Sequence, residues 1–160
     1  MTASGECDRS TVVGGPRDSR VVDASGPYDP RTHAAELGVT VEYQPLAGAL
    51  AGRYLHHRRL IILRPGLTAR AERCTLAHEV VYAEYGDLDT TDPILHARQE
   101  ARADRLAARR LIDPAAWDYA WRLHRDLRAV AVELDVTFWL AAAHAADVER
   151  RLTAAEGGAA

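Results

Sequence analysis

The sequence predicts an α+β fold in which a small antiparallel sheet packs on one long helix and further helices form the C-terminal part. Short segments with strand character occur only between residues 39 and 63. Every longer apolar pattern after residue 68 has the spacing of a helix. With 160 residues, 48% of them hydrophobic and 27% charged, the chain is expected to form one globular domain.

A leader, one domain and a short tail are predicted. Residues 1–27 are rich in Gly, Ser, Asp and Arg without a sustained period, which indicates a disordered leader. The domain is expected at residues 28–155. A frayed tail is expected at residues 156–160, because Gly157-Gly158 interrupts the last helical pattern.

Composition limits the classes of function. The net charge is only −3, which gives no electrostatic argument for bulk nucleic-acid binding. Cys7 and Cys74 lie far apart in the sequence, so no disulfide framework is expected and a cytoplasmic location is predicted. The first 27 residues lack the apolar segment of a signal peptide, and no apolar run approaches the length of a membrane span.

The strands are expected in the first half of the domain, after a short helix at residues 31–37 that Asp29 caps. Residues 39–43 alternate apolar and polar side chains, as strands do. Residues 50–56 and 59–63 predict a hairpin. Its second strand holds the most apolar run, Leu60-Ile61-Ile62-Leu63, and is expected to be the best buried.

Helices account for the rest of the domain. Thr68 is a suitable N-cap for a helix that runs to Tyr85, and Gly86 is suited to end it. An acidic, turn-rich loop follows. Further helices are expected at residues 94–112, 115–124, 127–134 and 137–152.

The sequence His78-Glu79-Val80-Val81-Tyr82 is one residue short of H-E-x-x-H, the helical signature of zinc hydrolases. Residues four apart lie on one face of a helix, so two histidines at this spacing can bind one zinc ion. The glutamate can then activate the metal-bound water. In this chain Tyr82 occupies the position of the second histidine.

Glu100 and Asp104 are also four apart, on the next long helix. In zinc hydrolases with a glutamate ligand, the glutamate completes the metal site and an aspartate can hold a ligand imidazole through its other ring nitrogen. Each pattern alone is common. The two patterns in this order, on neighbouring helices, favour a zinc-hydrolase scaffold.

With these motifs the chain resembles the ImmA/IrrE-type metallopeptidases. The resemblance rests on the strand at residues 60–63, on Cys74-Thr75-Leu76-Ala77-His78-Glu79 and on Glu100-Ala101-Arg102-Ala103-Asp104. Residues 131–137 also look like the helix-turn-helix-like tail that is common in that family. The resemblance covers about residues 28–152.

The resemblance implies a zinc metallo-endopeptidase on a zincin-like helix. His78 matches the first zinc ligand, Glu79 the general base and Glu100 the third protein ligand, and Asp104 matches the residue that holds a ligand in place. The second zinc ligand falls on Tyr82. Members of this length are typical of phages and mobile elements, and the implied partner is a helix-turn-helix repressor that is cleaved or otherwise inactivated.

Tyr82 changes what such a site is expected to do. A phenol binds zinc usefully only as phenolate, and ionising it at pH 7 costs about 4 kcal/mol because its reference pKa is about 10. Weaker zinc binding is therefore expected. Cys74, His96, His56 and His57 are alternative ligands, but a structural role for each is favoured: a small buried side chain for Cys74 and a helix start for His96.

The leading prediction is hydrolysis of a peptide bond by a zinc metallo-endopeptidase, with an extended substrate along the sheet edge at residues 51–57. The alternative is a catalytically inactive member of the same fold that regulates a repressor by binding only. Direct DNA binding through residues 131–152 is disfavoured, because this segment is rich in alanine and carries Glu133, Asp135 and Asp147.

Overall fold

A three-stranded sheet and six α-helices make up residues 26–158, which are the residues that the computed structural model describes. Most of the predicted leader, residues 1–25, and the last two residues of the predicted tail lie outside this range. The elements are α1 Pro30–Glu36, β1 Thr40–Tyr43, β2 Gly52–Leu55, β3 Leu60–Leu63, α2 Ala69–Tyr85, α3 Pro93–Leu111, α4 Pro114–His124, α5 Leu127–Glu133 and α6 Phe138–Gly157.

The sheet has the strand order β1-β3-β2, with the apolar strand β3 in the centre. The predicted hairpin is confirmed, because β2 and β3 pair antiparallel. The α+β prediction is also confirmed, with one correction: β1 pairs parallel to β3, so the sheet is mixed rather than antiparallel. The chain passes through β2 before it returns along β3, and β3 therefore runs in the same direction as β1.

The helix boundaries follow local capping chemistry. The Asp29 carboxylate accepts hydrogen bonds from the backbone N–H groups of the first turn of α1, and the Thr68 hydroxyl accepts one from Ala71. Gly86 ends α2 with a φ of 66°, a left-handed conformation that glycine adopts at little cost. The predicted caps are thus confirmed. Helix α6 continues to Gly157, beyond the predicted end at residue 152.

Helix α2 lies between two groups of buried side chains. The sheet-side core consists of Ala34, Val39, Tyr54, Ile61, Leu63, Leu76, Val80 and Ala83. The helical-side core consists of Cys74, Ala77, Ala107, Ala108, Ile112, Trp117, Ala120, Val130, Ala131, Val136, Leu140 and Ala141. Cys74 is therefore a buried core residue, as the sequence indicated.

Helices α5 and α6 meet at 110° across a short turn, which is the geometry of a helix-turn-helix. Asp135 adopts a φ of 49° in this turn, and its carboxylate accepts a hydrogen bond of 2.8 Å from Nε of Arg70 on α2. The turn is thereby attached to α2. Within residues 26–158, no single helix is long and apolar enough to cross a membrane.

A buried carboxylate joins α3 to α6. Asp147 is only 2% exposed, and its two oxygens accept hydrogen bonds of 2.7 and 2.9 Å from Nε and Nη2 of Arg109. Arg150 and Arg151 on α6 lie farther away, at 3.4 Å each. Arg109 is thus the main partner that compensates the burial of this charge.

We expect Arg109→Met to lower the free energy of unfolding by about 2–3 kcal/mol, because it removes the main partner of a buried carboxylate. Arg150→Met is the matched control. This exposed arginine is a distant partner of the same carboxylate, and its loss should cost less than about 1 kcal/mol. Urea unfolding of the three proteins measures both values, and equal losses would contradict the role given to Arg109.

The same pair predicts a pH dependence. Burial alone would raise the pKa of Asp147, but the Arg109 guanidinium outweighs it and holds the pKa below its ordinary value of 3.8. A lowered folded-state pKa gives stability that is complete above pH 3.8 and is lost as the pH falls through the folded value. Loss of Arg109 should raise the pKa of Asp147 in the folded variant, while the unfolded chains titrate alike. The stability difference between wild type and Arg109→Met should therefore be largest near pH 7 and shrink as the pH falls from the raised pKa of the variant to the lowered pKa of the wild type.

Candidate functional site

A cleft of about 770 Å³ lies between strand β2, helices α2 and α3, and the first turn of α6. Because the sheet order is β1-β3-β2, strand β2 has a free edge within the described part of the chain. The cleft contains all five residues that the motifs and the family resemblance singled out, which are His78, Glu79, Tyr82, Glu100 and Asp104.

His78 and Asp104 face each other across the α2–α3 contact. Nδ1 of His78 lies 3.0 Å from Oδ1 of Asp104, while Nε2 of His78 lies 3.7 Å from Oε2 of Glu100. Burial alone would lower the pKa of His78. The hydrogen bond with Asp104 and the nearby Glu100 carboxylate outweigh burial and raise the pKa to about 10. In the absence of a metal ion the ring is therefore a cation at neutral pH.

Tyr82 is directed at the same glutamate. Its hydroxyl donates a hydrogen bond to Oε1 of Glu100. Burial and this hydrogen bond raise the pKa of Tyr82, so the phenol keeps its proton. The adjacent His78 ring and, to a smaller extent, the Tyr82 hydroxyl outweigh partial burial and lower the pKa of Glu100 to about 2. Glu100 is thus an ionised carboxylate with a protein partner on each oxygen.

Glu79 lies at the wall of the cleft and is 8% exposed. Burial raises its pKa to about 7, although His78 and the backbone N–H of Tyr54 both favour the ionised form. A carboxyl group with a pKa near neutrality is suited to accept and release a proton. The position of Glu79 is therefore consistent with the general-base role that the resemblance implies.

Gly52 brings strand β2 close to helix α2. A Cβ atom at this position would lie 2.5 Å from Cγ2 of Thr75 and 3.0 Å from Cγ of Glu79. Only a glycine allows the approach, which places the Tyr54 backbone N–H beside the Glu79 carboxylate. Sequence analysis did not identify this residue, because a single glycine at a strand start gives no signal of a contact with a distant helix.

Trp139 is a second cleft residue that the sequence did not reveal. It comes from the first turn of α6, and its ring meets the His78 ring edge to face, with centroids 5.6 Å apart. The side chain is 38% exposed. It lies far from the motifs in sequence and enters the cleft only because of the angle between α5 and α6.

The alternative ligands do not converge on His78 and Glu100. Among Cys74, His56, His57 and His96, only His96 lines the cleft, and it is exposed near the start of α3. His56 lies beside Gly86, where α2 ends. The structural roles favoured from the sequence therefore agree with where these residues lie.

The family assignment follows from a comparison with known protein families. Residues 34–145, more than half of the chain, match the sequence profile of the IrrE N-terminal-like domain, a peptidase family. The chain belongs to this family. No curated protein matches its sequence. The IrrE-like chain is thus a metallopeptidase-like protein, and the resemblance given by His78, Glu79, Glu100 and Asp104 is confirmed at the level of the family.

The residues of this IrrE-like site do not form the three-ligand zinc site that the family resemblance implies. Among residues 26–158 no group of three or more His, Cys, Asp or Glu side chains is placed to hold a metal ion. Of the three ligand positions that the resemblance implies, two carry the expected residue types, His78 and Glu100. The third position carries the Tyr82 phenol, which donates a hydrogen bond to one of these two ligands.

We expect Gly52→Ala to lower the free energy of unfolding by about 1–3 kcal/mol, because the added methyl group overlaps Thr75 and Glu79. Gly26→Ala is the matched control, since a Cβ atom there has no neighbour within 4 Å. Urea unfolding measures both effects. A Gly52→Ala protein as stable as the control would show that strand β2 can move away from α2 without cost.

Proposed function

We propose that this IrrE-like protein inactivates a helix-turn-helix repressor by holding an extended segment of it in the cleft without cutting it. One observation carries the proposal. The Tyr82 hydroxyl is hydrogen-bonded to Glu100 at the position of the missing ligand, in a cleft that also contains His78, Glu79 and Asp104, the other residues that the family resemblance implies. The structural framework of a peptidase is therefore retained while the set of metal ligands is incomplete.

The free edge of β2 supports binding of an extended chain. The cleft is bordered by residues 49–54, which include the edge strand. A strand edge offers backbone N–H and C=O groups that an added peptide strand can pair with, whatever its sequence. Side chains of the cleft, such as Trp139, then contribute the selectivity. The partner itself is proposed from the family resemblance.

The helix-turn-helix geometry of α5 and α6 does not favour direct DNA binding. The first turn of the second helix of a DNA-binding motif must be free to contact base edges in the major groove. In this protein that turn carries Trp139, whose ring packs against His78 in the cleft. The turn before α6 is also held to α2 by Arg70. These contacts support a structural role for the motif.

The second candidate function is that of a zinc endopeptidase, and the distance between His78 and Glu100 favours it. Nε2 of His78 and Oε2 of Glu100 are 3.7 Å apart, which is too long for a hydrogen bond. Two tetrahedral ligands at zinc bond lengths are separated by roughly 3.4 Å. In this alternative Tyr82 is the third ligand and Glu79 is the general base.

Binding without cleavage is tested with the purified full chain and a helix-turn-helix repressor whose gene lies next to its own. We expect calorimetry to detect a complex in the presence of EDTA, and mass spectrometry to show an intact repressor after prolonged incubation with added zinc. Trp139→Ala should weaken binding about tenfold, by loss of an aromatic contact in the cleft. Trp121→Ala is the control, because Trp121 is equally exposed and lies on α4.

Cleavage of the repressor by the native protein would overturn this proposal in favour of the second candidate. The absence of a complex, or equal weakening by the two tryptophan variants, would contradict the cleft as the binding site.

Metal analysis separates the two candidates independently of any partner. We expect the native protein to carry well under one zinc ion per chain after dialysis, and Tyr82→His to carry about one, because the substitution restores the third ligand of the family. Glu100→Gln in the Tyr82→His background should abolish this gain, which controls for binding elsewhere. One zinc ion per native chain would favour the peptidase.

A further inference from the structure

Four polar residues on the cleft side of the α2–α3 contact form two direct links between the helices. Tyr82 donates to Oε1 of Glu100, and Nδ1 of His78 lies 3.0 Å from Oδ1 of Asp104. His78 and Tyr82 are one turn apart on α2, and Glu100 and Asp104 are one turn apart on α3. The two links therefore lie side by side and cross the same interface.

In a three-ligand zinc site, the ion itself would connect these helices. Two of the ligands lie on α2 and one on α3, and metal binding of this kind contributes to the stability of the fold. In this chain the α2–α3 connection is complete without an ion, since Tyr82 reaches Glu100 directly. We propose that the Tyr82 hydroxyl replaces the metal ion as the link between α2 and α3, so that the cleft is assembled independently of metal.

The length of the side chain explains why tyrosine can make this link. The phenol oxygen lies farther from the backbone than either nitrogen of an imidazole ring, so it spans the gap that a histidine would need an ion to bridge. Phenylalanine has the same ring but lacks the oxygen. Tyr82→Phe therefore removes the link with little other change, and Tyr82 is best described as a positioning residue for Glu100.

Other contacts between α2 and α3 do not involve Tyr82. Arg110 on α3 pairs with Glu84 on α2, and Arg102 on α3 lies over the Tyr85 ring. Cys74 and Ala77 pack with Ala107 and Ala108 in the helical-side core. Helices α2 and α3 should therefore stay together when the link is lost. The effect is expected at the cleft, and the protein should remain folded.

The experiment measures thermal unfolding of the full-length protein in EDTA and with added zinc chloride. We expect the same Tm for the native protein in both conditions. Tyr82→Phe should lower the Tm by about 3–5 °C, the effect of losing one hydrogen bond to a charged group in a domain of this size. Tyr85→Phe is the control, because Tyr85 lies on the same helix but is exposed.

A double-mutant cycle tests whether the Tyr82 effect passes through Glu100. In the Glu100→Ala background, Tyr82→Phe should no longer change the Tm. The inference is overturned if zinc raises the Tm of the native protein or EDTA lowers it. It is also overturned if Tyr82→Phe has the same effect with and without Glu100, or no larger effect than Tyr85→Phe. The Tyr82→Phe outcomes do not depend on whether the cleft binds a repressor. Stabilisation by zinc would overturn this inference and also favour the peptidase, whereas a failed repressor complex would leave this inference intact.

Discussion

Helix α2 is buried on two sides, and each side belongs to a different part of the core. Leu76 and Val80 pack with the sheet, whereas Cys74 and Ala77 pack with the C-terminal helices. A helix held on both sides has a fixed rotation about its axis. That rotation directs His78 and Tyr82 toward α3 and places Glu79 beside strand β2. The geometry of the cleft thus depends mainly on apolar packing.

The net charge of the cleft depends on which of its ionisable side chains carry a proton. Glu79, Glu100 and Asp104 are three carboxyl groups that lie close to the imidazole of His78. The pKa of His78 rises to about 10 and that of Glu79 to about 7. In a metal site an ion would supply the compensating positive charge. Within the protein, the direct contact of Asp104 and Glu100 with His78, and the hydrogen bond from Tyr82 to Glu100, compensate part of this negative charge.

Local chemistry explains which parts of this structure the sequence could predict. The caps Asp29, Thr68 and Gly86 act within one turn of the helices they end, so their signals are contained in a few neighbouring residues. It was predictable that His78 and Tyr82 share one face of α2 and that Glu100 and Asp104 share one face of α3, because residues four apart lie on the same side of a helix. The direction of β1 relative to β3 was not predictable, since an alternation of apolar and polar residues is the same for parallel and antiparallel pairing. Gly52 and Trp139 reach the site through tertiary contacts, which leave no pattern in the surrounding sequence.

The two sides of the cleft are held in place by different physical effects, and Gly52 determines one of them. On the side of β2, the separation from α2 is set by atomic volume, because the glycine hydrogen is all that fits against Thr75 and Glu79. On the side of α3, the arrangement is set by ionised groups and their hydrogen bonds. Volume exclusion is insensitive to salt and acidity, whereas charge is not. The spacing of β2 from α2 should therefore be insensitive to salt. Acidity should act on both sides of the cleft, through Glu79 beside β2 and through the ionised groups at α3.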